Sequence, residues 1–350
     1  MSYKLNKKIV ELEPYEPISG TYDVRLDANE CPYNYPDEIK QEIKDVIDNI
    51  DFNRYPDPLA TDVVNAFAEY YGLNPDFVTA GNGSDELIFL IESAFLEKGD
   101  KMLVVSPDFS MYQFYSSICE VECDTFYKDD ELNIDVDMLI DKVNSDNIKL
   151  LIFSNPCNPT GKGITADQAR KLVNSVNALV ILDEAYMDFW TEGLLNEAEQ
   201  YTNLIVFKTA SKAIGSAALR LGFAVADPVI SRAIKAVKSP YNVNSFSQAV
   251  GKIIYSHKQF LLNRKKDIVN NREKLYNGLL DISKNSSDFK VFESCTNFVF
   301  IKTSFGKELW EFLKQKSIVI RYMGDYIRIS VGTSEEVDRT LEAIKAYFER

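Results

Sequence analysis

The chain has 350 residues, 45% of them hydrophobic and 26% charged, which is enough apolar material for a large buried core and a smaller second domain. Its formal net charge of -14 at pH 7 argues against a nucleic-acid-binding protein that works by bulk electrostatics. The five cysteines are scattered without a CxxC pair, so neither a disulfide framework nor a metal site is predicted. A single histidine, His257, argues against a Ser-His-Asp triad.

The N-terminal sequence MSYKLNKKIVELEPY has no continuous apolar stretch after its lysines, and no later segment is apolar over the length of a bilayer span. Together with the unpaired cysteines, this predicts a protein of the reducing cytoplasm that has no membrane partner.

Strand-like and helix-like segments alternate as far as residue 245. A helix is predicted over residues 61–71, followed by the strand FVTAG, the helix LIFLIESAFL, the strand KMLVV and the segment CEVECDTFY. The later runs LLIF and LVIL are apolar throughout, which is typical of strands buried on both faces. The alternation predicts an α/β fold with a mostly parallel central sheet and helices on both faces.

The pattern changes after residue 245 to long amphipathic helices and then to a short αβ pattern, which predicts a smaller α+β domain. We therefore expect residues 1–45 to form an N-terminal arm and part of the small domain, 46–245 the large ligand-binding domain, and 246–350 the small domain. Ligands of open parallel sheets bind at the carboxyl ends of the strands.

Three polar motifs follow predicted strands. GNGSDE, residues 81–86, opens a helix and could bind a phosphate through free backbone N–H groups, or it could be a capped glycine turn. NPCNPTG, residues 155–161, could present an amide at the sheet edge or be a proline-stiffened turn. Asp183 and Glu184 end LVIL, and adjacent strand residues point to opposite faces. One buried acid with a cationic partner is therefore predicted, a capping aspartate being the alternative.

Lys212 lies after another predicted strand, close to Thr209, Ser211 and Arg220, which could share a dianionic phosphate. Taken alone, it could be a solvated loop lysine. A phosphate cradle, an amide, a buried acid and a lysine, each at a strand end, together fit one cofactor, pyridoxal phosphate. This cofactor requires an amine for its aldehyde, an acid for its ring nitrogen and donors for its oxygens.

These motifs resemble those of fold-type I pyridoxal-phosphate aminotransferases, and within them the histidinol-phosphate branch. The resemblance extends over nearly the whole chain, through LDANECPYNYP, NRYPDP, GNGSDE, SPDFSMY, NPCNPTG, DEAYMDF, SKAIGSAALRLGF, SPYNVN and YIRISVG. It implies the fold-type I architecture, with residues 46–245 as the cofactor-binding domain.

The resemblance implies a role for each matching residue. Lys212 would form the Schiff base and move the proton at the substrate Cα. Asp183 would pair with the pyridinium nitrogen, while Asn158 and Tyr186 would contact the ring oxygen. Phe109 would stack on the ring. The phosphate would be bound by the backbone of Ser84 and Asp85 and by the side chains of Thr209, Ser211 and Arg220.

The resemblance also implies a substrate pocket and a homodimer. Tyr55 resembles the tyrosine that reaches the cofactor phosphate of the neighbouring subunit. Arg328 resembles the arginine that holds the substrate's α-substituent, and Arg321 one that holds a substrate phosphate. Tyr15 and Tyr241, together with Asn158, could line the same pocket.

The reaction implied is transfer of the amino group of L-histidinol phosphate to 2-oxoglutarate, which gives imidazole-acetol phosphate and glutamate in histidine biosynthesis. An aromatic amino-acid aminotransferase and a threonine-phosphate decarboxylase are the alternatives within this fold. The short loop between Arg321 and Arg328, and Ile214-Gly215-Ser216-Ala217 after Lys212, depart from the usual pattern. From other classes, a dehydrogenase or a non-catalytic binding module is possible, although GNGSDE lacks a dehydrogenase's third glycine.

Overall fold

The computed structural model of the chain describes residues 3–10, 12–14, 16–284 and 286–350. The strands are β1 (Val24–Leu26), β2 (Val78–Asn82), β3 (Lys101–Ser106), β4 (Glu122–Tyr127), β5 (Leu150–Ser154), β6 (Leu179–Asp183), β7 (Leu204–Thr209), β8 (Leu221–Ala226), β9 (Lys290–Val291), β10 (Phe298–Lys302), β11 (Ile318–Tyr322) and β12 (Tyr326–Ser330).

The helices alternate with these strands in the first two thirds of the chain and dominate the last third. They are α1 (Lys7–Val10), α2 (Asp37–Ile47), α3 (Thr61–Tyr71), α4 (Ser84–Phe95), α5 (Met111–Cys119), α6 (Val136–Ser145), α7 (Ala166–Ser175), α8 (Pro228–Val237), α9 (Ser245–Ser256), α10 (Lys258–Ser283), α11 (Gly306–Gln315) and α12 (Ser334–Phe348).

The larger sheet has seven strands in the order β2-β8-β7-β6-β5-β3-β4. Strands β3 to β7 pair in parallel, as the α/β pattern predicts, whereas β8 runs antiparallel to both β7 and β2. The mostly parallel α/β architecture is therefore confirmed.

Alternate residues of the central strands enter two different cores, because successive side chains of a strand point to opposite faces. Val180 and Leu182 of β6 pack among residues of α3, α6, α7 and α9. Ile181 of the same strand packs among residues of α4, α5 and α8. Helices thus cover both faces, and the strands are apolar throughout because neither face meets water.

Polar side chains fix where several helices begin. Thr165 and Gln168 form a capping box at α7, and Thr333 and Glu336 form another at α12. At α6 the side chain of Asp135 alone caps the helix, by accepting a hydrogen bond from the N–H of Met138. Periodicity does not predict α5, whose sequence MYQFYSSIC mixes aromatic and serine residues.

The smaller sheet has the strand order β1-β11-β12-β10-β9. Its β1 comes from the N-terminal part of the chain and pairs in parallel with β11, whereas the other pairs are antiparallel. Helices α10, α11 and α12 bury apolar residues against it. Strand pairing does not define an independently folding unit, so the boundaries at residues 45 and 245 stay a prediction.

No helix within the described residues is both long and apolar enough to cross a membrane. His257 lies between α9 and α10 rather than within one helix, and its Nε2 is 3.0 Å from Oε2 of Glu42.

Candidate active site

Three neighbouring strands bring the predicted phosphate-binding residues together. In the sheet, Thr209 of β7 lies opposite Gly222 of β8, and Asn82 of β2 lies opposite Leu221. The turn before α4 therefore lies beside the end of β7. The side chains of Thr209 and Ser211 contact each other there, with 3.1 Å between their Oγ atoms.

Two glycines make this cradle possible. A Cβ on Gly222 would lie 2.4 Å from the backbone nitrogen of Ser84, so only glycine lets β8 approach the start of α4 so closely. Gly83 has a φ of +82°, and a Cβ there would lie 2.7 Å from Nη2 of Arg220. The first turn of α4 and the Arg220 guanidinium thus border one small polar space.

The positive end of α4 and Arg220 both favour an anion in this space. The cap residue Gly83 has no side chain to accept bonds from the first-turn N–H groups of α4. Arg220 contacts Asp85, with 3.2 Å between Nη2 and Oδ2. Nη1 of Arg220 donates to the carbonyl oxygen of Ala217 at 3.4 Å, and Nη2 is the guanidinium nitrogen nearest to the Cβ position of Gly83.

Asp183 is the buried acid that the sequence predicts. It ends β6 and is only 4% exposed. Its Oδ2 accepts a hydrogen bond from the hydroxyl of Tyr112 at 2.9 Å, and Oδ1 accepts one from the N–H of Ala185 at 3.0 Å. Burial raises the pKa of Asp183 to about 6, although these two donors act in the opposite direction. The group is therefore mostly ionised at neutral pH.

Glu184 does not share this pocket. Its Oε1 accepts a hydrogen bond from the N–H of Leu194 at 2.6 Å on the other face of the sheet. It borders a separate cleft there with Lys208 and Asp188, whose charged groups are 2.9 Å apart. The two adjacent carboxylates thus point to opposite faces, as expected for neighbours along a strand.

Asn158 and Arg328 join the two sheets at the site. Arg328 Nη1 donates to Oδ1 of Asn158 at 2.5 Å, and Nη2 donates to the carbonyl oxygen of Asp27 at 2.8 Å. The Tyr186 hydroxyl accepts a hydrogen bond from Asn29 Nδ2 at 3.0 Å. Asn158 and Tyr186, which were predicted to act together, therefore both lie where the ends of β5 and β6 meet the end of β1.

Lys212 also lies at this boundary. Its Nζ donates to the carbonyl oxygen of Ala28 at 3.3 Å and lies 5.6 Å from the centre of the Tyr186 ring. The loop that carries Lys212 is held by a hydrogen bond that Arg264 donates to the carbonyl oxygen of Ile214. The amine thus lies beside Tyr186, which follows β6, the strand next to β7 in the sheet.

Phe109 follows β3 and is half-buried beside Tyr112, with 5.6 Å between their ring centres in an edge-on arrangement. Since Tyr112 bonds to Asp183, Phe109 lies near the buried acid, as a ring-stacking residue should.

Arg321 and Arg328 lie directly opposite each other in the antiparallel pair β11–β12. Directly opposed residues of such a pair project from the same face of the sheet. Because Arg328 reaches Asn158, this face is the one that borders the site. Arg321 is half-buried, so its positive charge lies on the same sheet face as that of the buried Arg328 but is more exposed to solvent.

A sequence profile described as "Aminotransferase class I and II" matches residues 22–344. The histidinol-phosphate aminotransferase of Clostridium novyi is 39% identical to this chain, over 97% of this chain and 96% of the relative. The chain belongs to the class I and II aminotransferases. A second relative of the same description, from Clostridium kluyveri, is 38% identical over 92% of each chain.

The fold of this aminotransferase is also that of a solved relative. The histidinol-phosphate aminotransferase from Sinorhizobium meliloti in complex with pyridoxal-5'-phosphate superposes with a TM-score of 0.85, covering 94% of this chain and 92% of that one at 22% identity. The predicted fold-type I architecture and the predicted family are thus confirmed, and the protein is an aminotransferase enzyme.

Two predicted residues of the aminotransferase chain, Tyr55 and Tyr241, contact each other. Tyr55 is 81% exposed, and its ring stacks on that of Tyr241 with 4.5 Å between centres and a 12° angle between planes. The pair is exposed beside a cleft lined by the segments around Asp57 and Ser245. Tyr15, predicted to line the substrate pocket, lies outside the described residues.

The sequence alone did not identify several residues of the aminotransferase site. Asp108 contacts the site from the loop before α5, and Tyr112 contacts it from the first turn of that helix. Asn29 and Asp27 contact it from the end of β1. The motifs SPDFSMY and LDANE contain all four. Their position within those motifs was the available signal, but no spacing rule indicates which partner each residue meets.

Proposed function

We propose that this aminotransferase binds pyridoxal phosphate and transfers the amino group of L-histidinol phosphate to a 2-oxo acid, with 2-oxoglutarate as the favoured acceptor. The observation that carries the proposal is the convergence, at one set of strand ends, of the Lys212 amine, the buried Asp183 and the glycine-lined cradle beside Arg220. The second sheet adds Arg328 and Arg321 on the side facing this site.

The residues fit the cofactor chemically. The cradle is lined by backbone N–H groups and hydroxyls and is bordered by a guanidinium, a donor set suited to a phosphate dianion. It is also narrow, because a Cβ on Gly222 or Gly83 would fill it. A carboxylate buried as fully as Asp183 is costly without a cationic partner, and a protonated ring nitrogen would supply one. When bound, the cofactor supplies a ring that accepts electrons from the substrate.

Each residue of the site would then have its own role in the reaction. Asp183 would hold a proton on the ring nitrogen, and Asn158 and Tyr186 would orient the ring oxygen. Phe109 would cover one face of the ring and exclude water. The Lys212 amine, which lies beside Tyr186, would move a proton from the substrate Cα to the C4′ carbon of the cofactor in the first half of the reaction, and from C4′ to the Cα of the acceptor in the second half.

The substrate assignment is supported by positive charge and by relatives. Arg321 and Arg328 present two guanidinium groups on one sheet face, which suits a substrate that carries a phosphate at one end. Relatives up to 39% identical over nearly the whole chain are histidinol-phosphate aminotransferases. This places the proposed reaction in histidine biosynthesis.

The test is a single-turnover assay with purified protein, followed by the visible absorbance of the bound cofactor. L-histidinol phosphate should bleach that absorbance rapidly, whereas phenylalanine, tyrosine and threonine phosphate should not. Bleaching by the aromatic amino acids alone would assign an aromatic aminotransferase. Carbon dioxide release from threonine phosphate would assign the decarboxylase, and a wild-type protein without visible absorbance would contradict the cofactor assignment.

Two variants sharpen this test. Lys212→Ala should retain the fold but lose turnover, because no other amine takes its place. Arg321→Gln should raise KM for L-histidinol phosphate about tenfold or more with little change in kcat, if the guanidinium holds a remote phosphate. An unchanged KM would show that Arg321 does not contact the substrate.

We also propose a homodimer in which Tyr55 serves the site of the neighbouring subunit. The exposed Tyr55–Tyr241 stack supports this, because two large aromatic side chains exposed side by side are typical of a covered interface.

The proposed cellular compartment of the protein remains the cytoplasm. Cell fractionation tests that assignment.

A further inference from the structure

The hydroxyl of Tyr112 makes a direct hydrogen bond to the carboxylate that would bind the cofactor ring. The two groups are 2.9 Å apart, and both side chains are almost fully buried, with 1% of Tyr112 and 4% of Asp183 exposed. The residues are 71 positions apart in the chain. This contact uses only one oxygen of Asp183, since the Ala185 N–H binds the other.

Tyr112 is held rigidly by the segment before it. Asp108 accepts hydrogen bonds from both the N–H and the hydroxyl of Ser154, and it also accepts one from the N–H of Phe109. Ser154 is the register partner of Asp183 in the adjacent strand. The start of α5 is therefore tied to the same two strand ends that carry Asp183 and Asn158, so the tyrosine hydroxyl has a fixed position.

We propose that Tyr112 is a positioning residue that keeps the Asp183 carboxylate ionised and aimed at the cofactor ring nitrogen. The inference deepens the proposed function and rests on it. Tyr112 touches Asp183 and not the reacting atoms, so its effect would pass through that one carboxylate.

The charges around Asp183 explain why it needs this donor. Burial raises the pKa of Asp183 most, and the negative charges of Asp108 in the segment before α5 and of Asp85 on α4 raise it further. Each of these acids has a cation of its own, Lys128 near Asp108 and Arg220 beside Asp85.

Glu184, the next residue along the chain, is a third neighbouring acid. The Tyr112 hydroxyl lowers the pKa of Asp183 more than the Ala185 N–H does. Burial also raises the pKa of Tyr112 well above its ordinary value, so its hydroxyl stays protonated and remains a donor.

The experiment compares Tyr112→Phe with wild type. The variant keeps the buried ring and removes only the hydroxyl. Affinity for pyridoxal phosphate, measured by equilibrium dialysis, should fall roughly ten- to a hundredfold, the range for a lost hydrogen bond to a charged group. The acidic limb of the kcat/KM profile should also move to higher pH, because Asp183 without its donor becomes protonated at a higher pH.

Tyr115→Phe is the matched control. Tyr115 lies on the same helix, and its ring contacts Phe89 and Phe114 instead of the acid. Burial, Asp85, Glu92 and Arg220 affect the pKa of Tyr115, and Asp183 is not among these groups, so the acidic limb of the Tyr115→Phe protein should stay at its wild-type value.

A Tyr112→Phe protein with an unmoved acidic limb and wild-type cofactor affinity would overturn the inference. Equal shifts in Tyr115→Phe would also overturn it, because the effect would then belong to the helix as a whole. These outcomes are distinct from failure of the proposed function, in which the wild-type protein itself would bind no pyridoxal phosphate.

Discussion

Carboxylates inside this protein differ in whether they accept a hydrogen bond. Asp183, Asp108 and Glu184 each accept hydrogen bonds from backbone or side-chain donors. Both carboxylate oxygens of Glu92, in contrast, have no hydrogen-bond partner among the described residues. Burial raises the pKa of Glu92 to about 8, so this side chain is largely neutral in the folded protein at pH 7.

Glu92 should therefore make the stability of the protein depend on pH. A raised folded-state pKa contributes stability that is complete below the ordinary value of 4.5 and is lost as the pH rises towards 8. Glu92→Gln should remove this loss and raise the free energy of unfolding by roughly 2–4 kcal/mol under alkaline conditions.

Urea unfolding at about pH 5 and about pH 9 checks this expectation. Glu97→Gln, at an exposed position just after the same helix, is the control and should change little. If Glu92→Gln were no more stable than wild type at the higher pH, the carboxyl group would have to be ionised and solvated in the folded state.

At the scale of elements, the cradle depends on how closely β8 approaches the turn between β2 and α4. Gly222→Ala would place a methyl group 2.4 Å from the Ser84 nitrogen, which the backbone can relieve only by moving the turn. We expect affinity for pyridoxal phosphate to fall by at least about tenfold, because the first-turn N–H groups lose their alignment.

Cofactor titration of Gly222→Ala measures this effect. Gly306→Ala is the control, because its Cβ would meet nothing closer than an Ile327 methyl group at 3.2 Å. Wild-type affinity in Gly222→Ala would mean that the phosphate does not use the start of α4.

At the scale of the whole molecule, three contacts join the two sheets at the site. They link Arg328 with Asn158, Asn29 with Tyr186, and Lys212 with the carbonyl of Ala28. In each contact, one residue belongs to β12 or to the segment after β1. The other residue lies at the carboxyl ends of the strands of the larger sheet. The active site is therefore a product of how the two sheets meet, and a fragment with only the larger sheet would lack Arg328 and Arg321.

The proposed homodimer makes a prediction at the same scale. Lys212→Ala and Tyr55→Ala proteins, each weakly active alone, should regain about one quarter of wild-type activity when unfolded and refolded together in equal amounts. The reason is that half the dimers would be hybrids, each with one site that has both residues intact. No recovery on mixing would show that Tyr55 serves its own subunit or no site at all. Phe52→Ala, at another exposed aromatic residue nearby, is the control for Tyr55→Ala.

The sequence by itself determined the local elements and the chemistry available at their ends. Helix α3 occupies the predicted residues 61–71, and the apolar runs LLIF and LVIL form the predicted β5 and β6. Asp183, Asn158 and Lys212 could be predicted because each lies at the end of a strand or shortly after it, and parallel strands end at one edge of a sheet. Local periodicity and turn chemistry suffice for such inferences.

Only the tertiary structure decided which of these residues meet. The Tyr112–Asp183 bond spans 71 positions and the Arg328–Asn158 bond spans 170. The first depends on the strand order of the larger sheet, which places β3, β5 and β6 side by side, and the second depends on the contact between the two sheets; a periodic pattern encodes neither. Nothing in the sequence of α5 indicates that Tyr112 meets Asp183, because the partners of this helix lie in strands that are distant along the chain. Long-range pairing therefore turned a set of strand-end residues into a site.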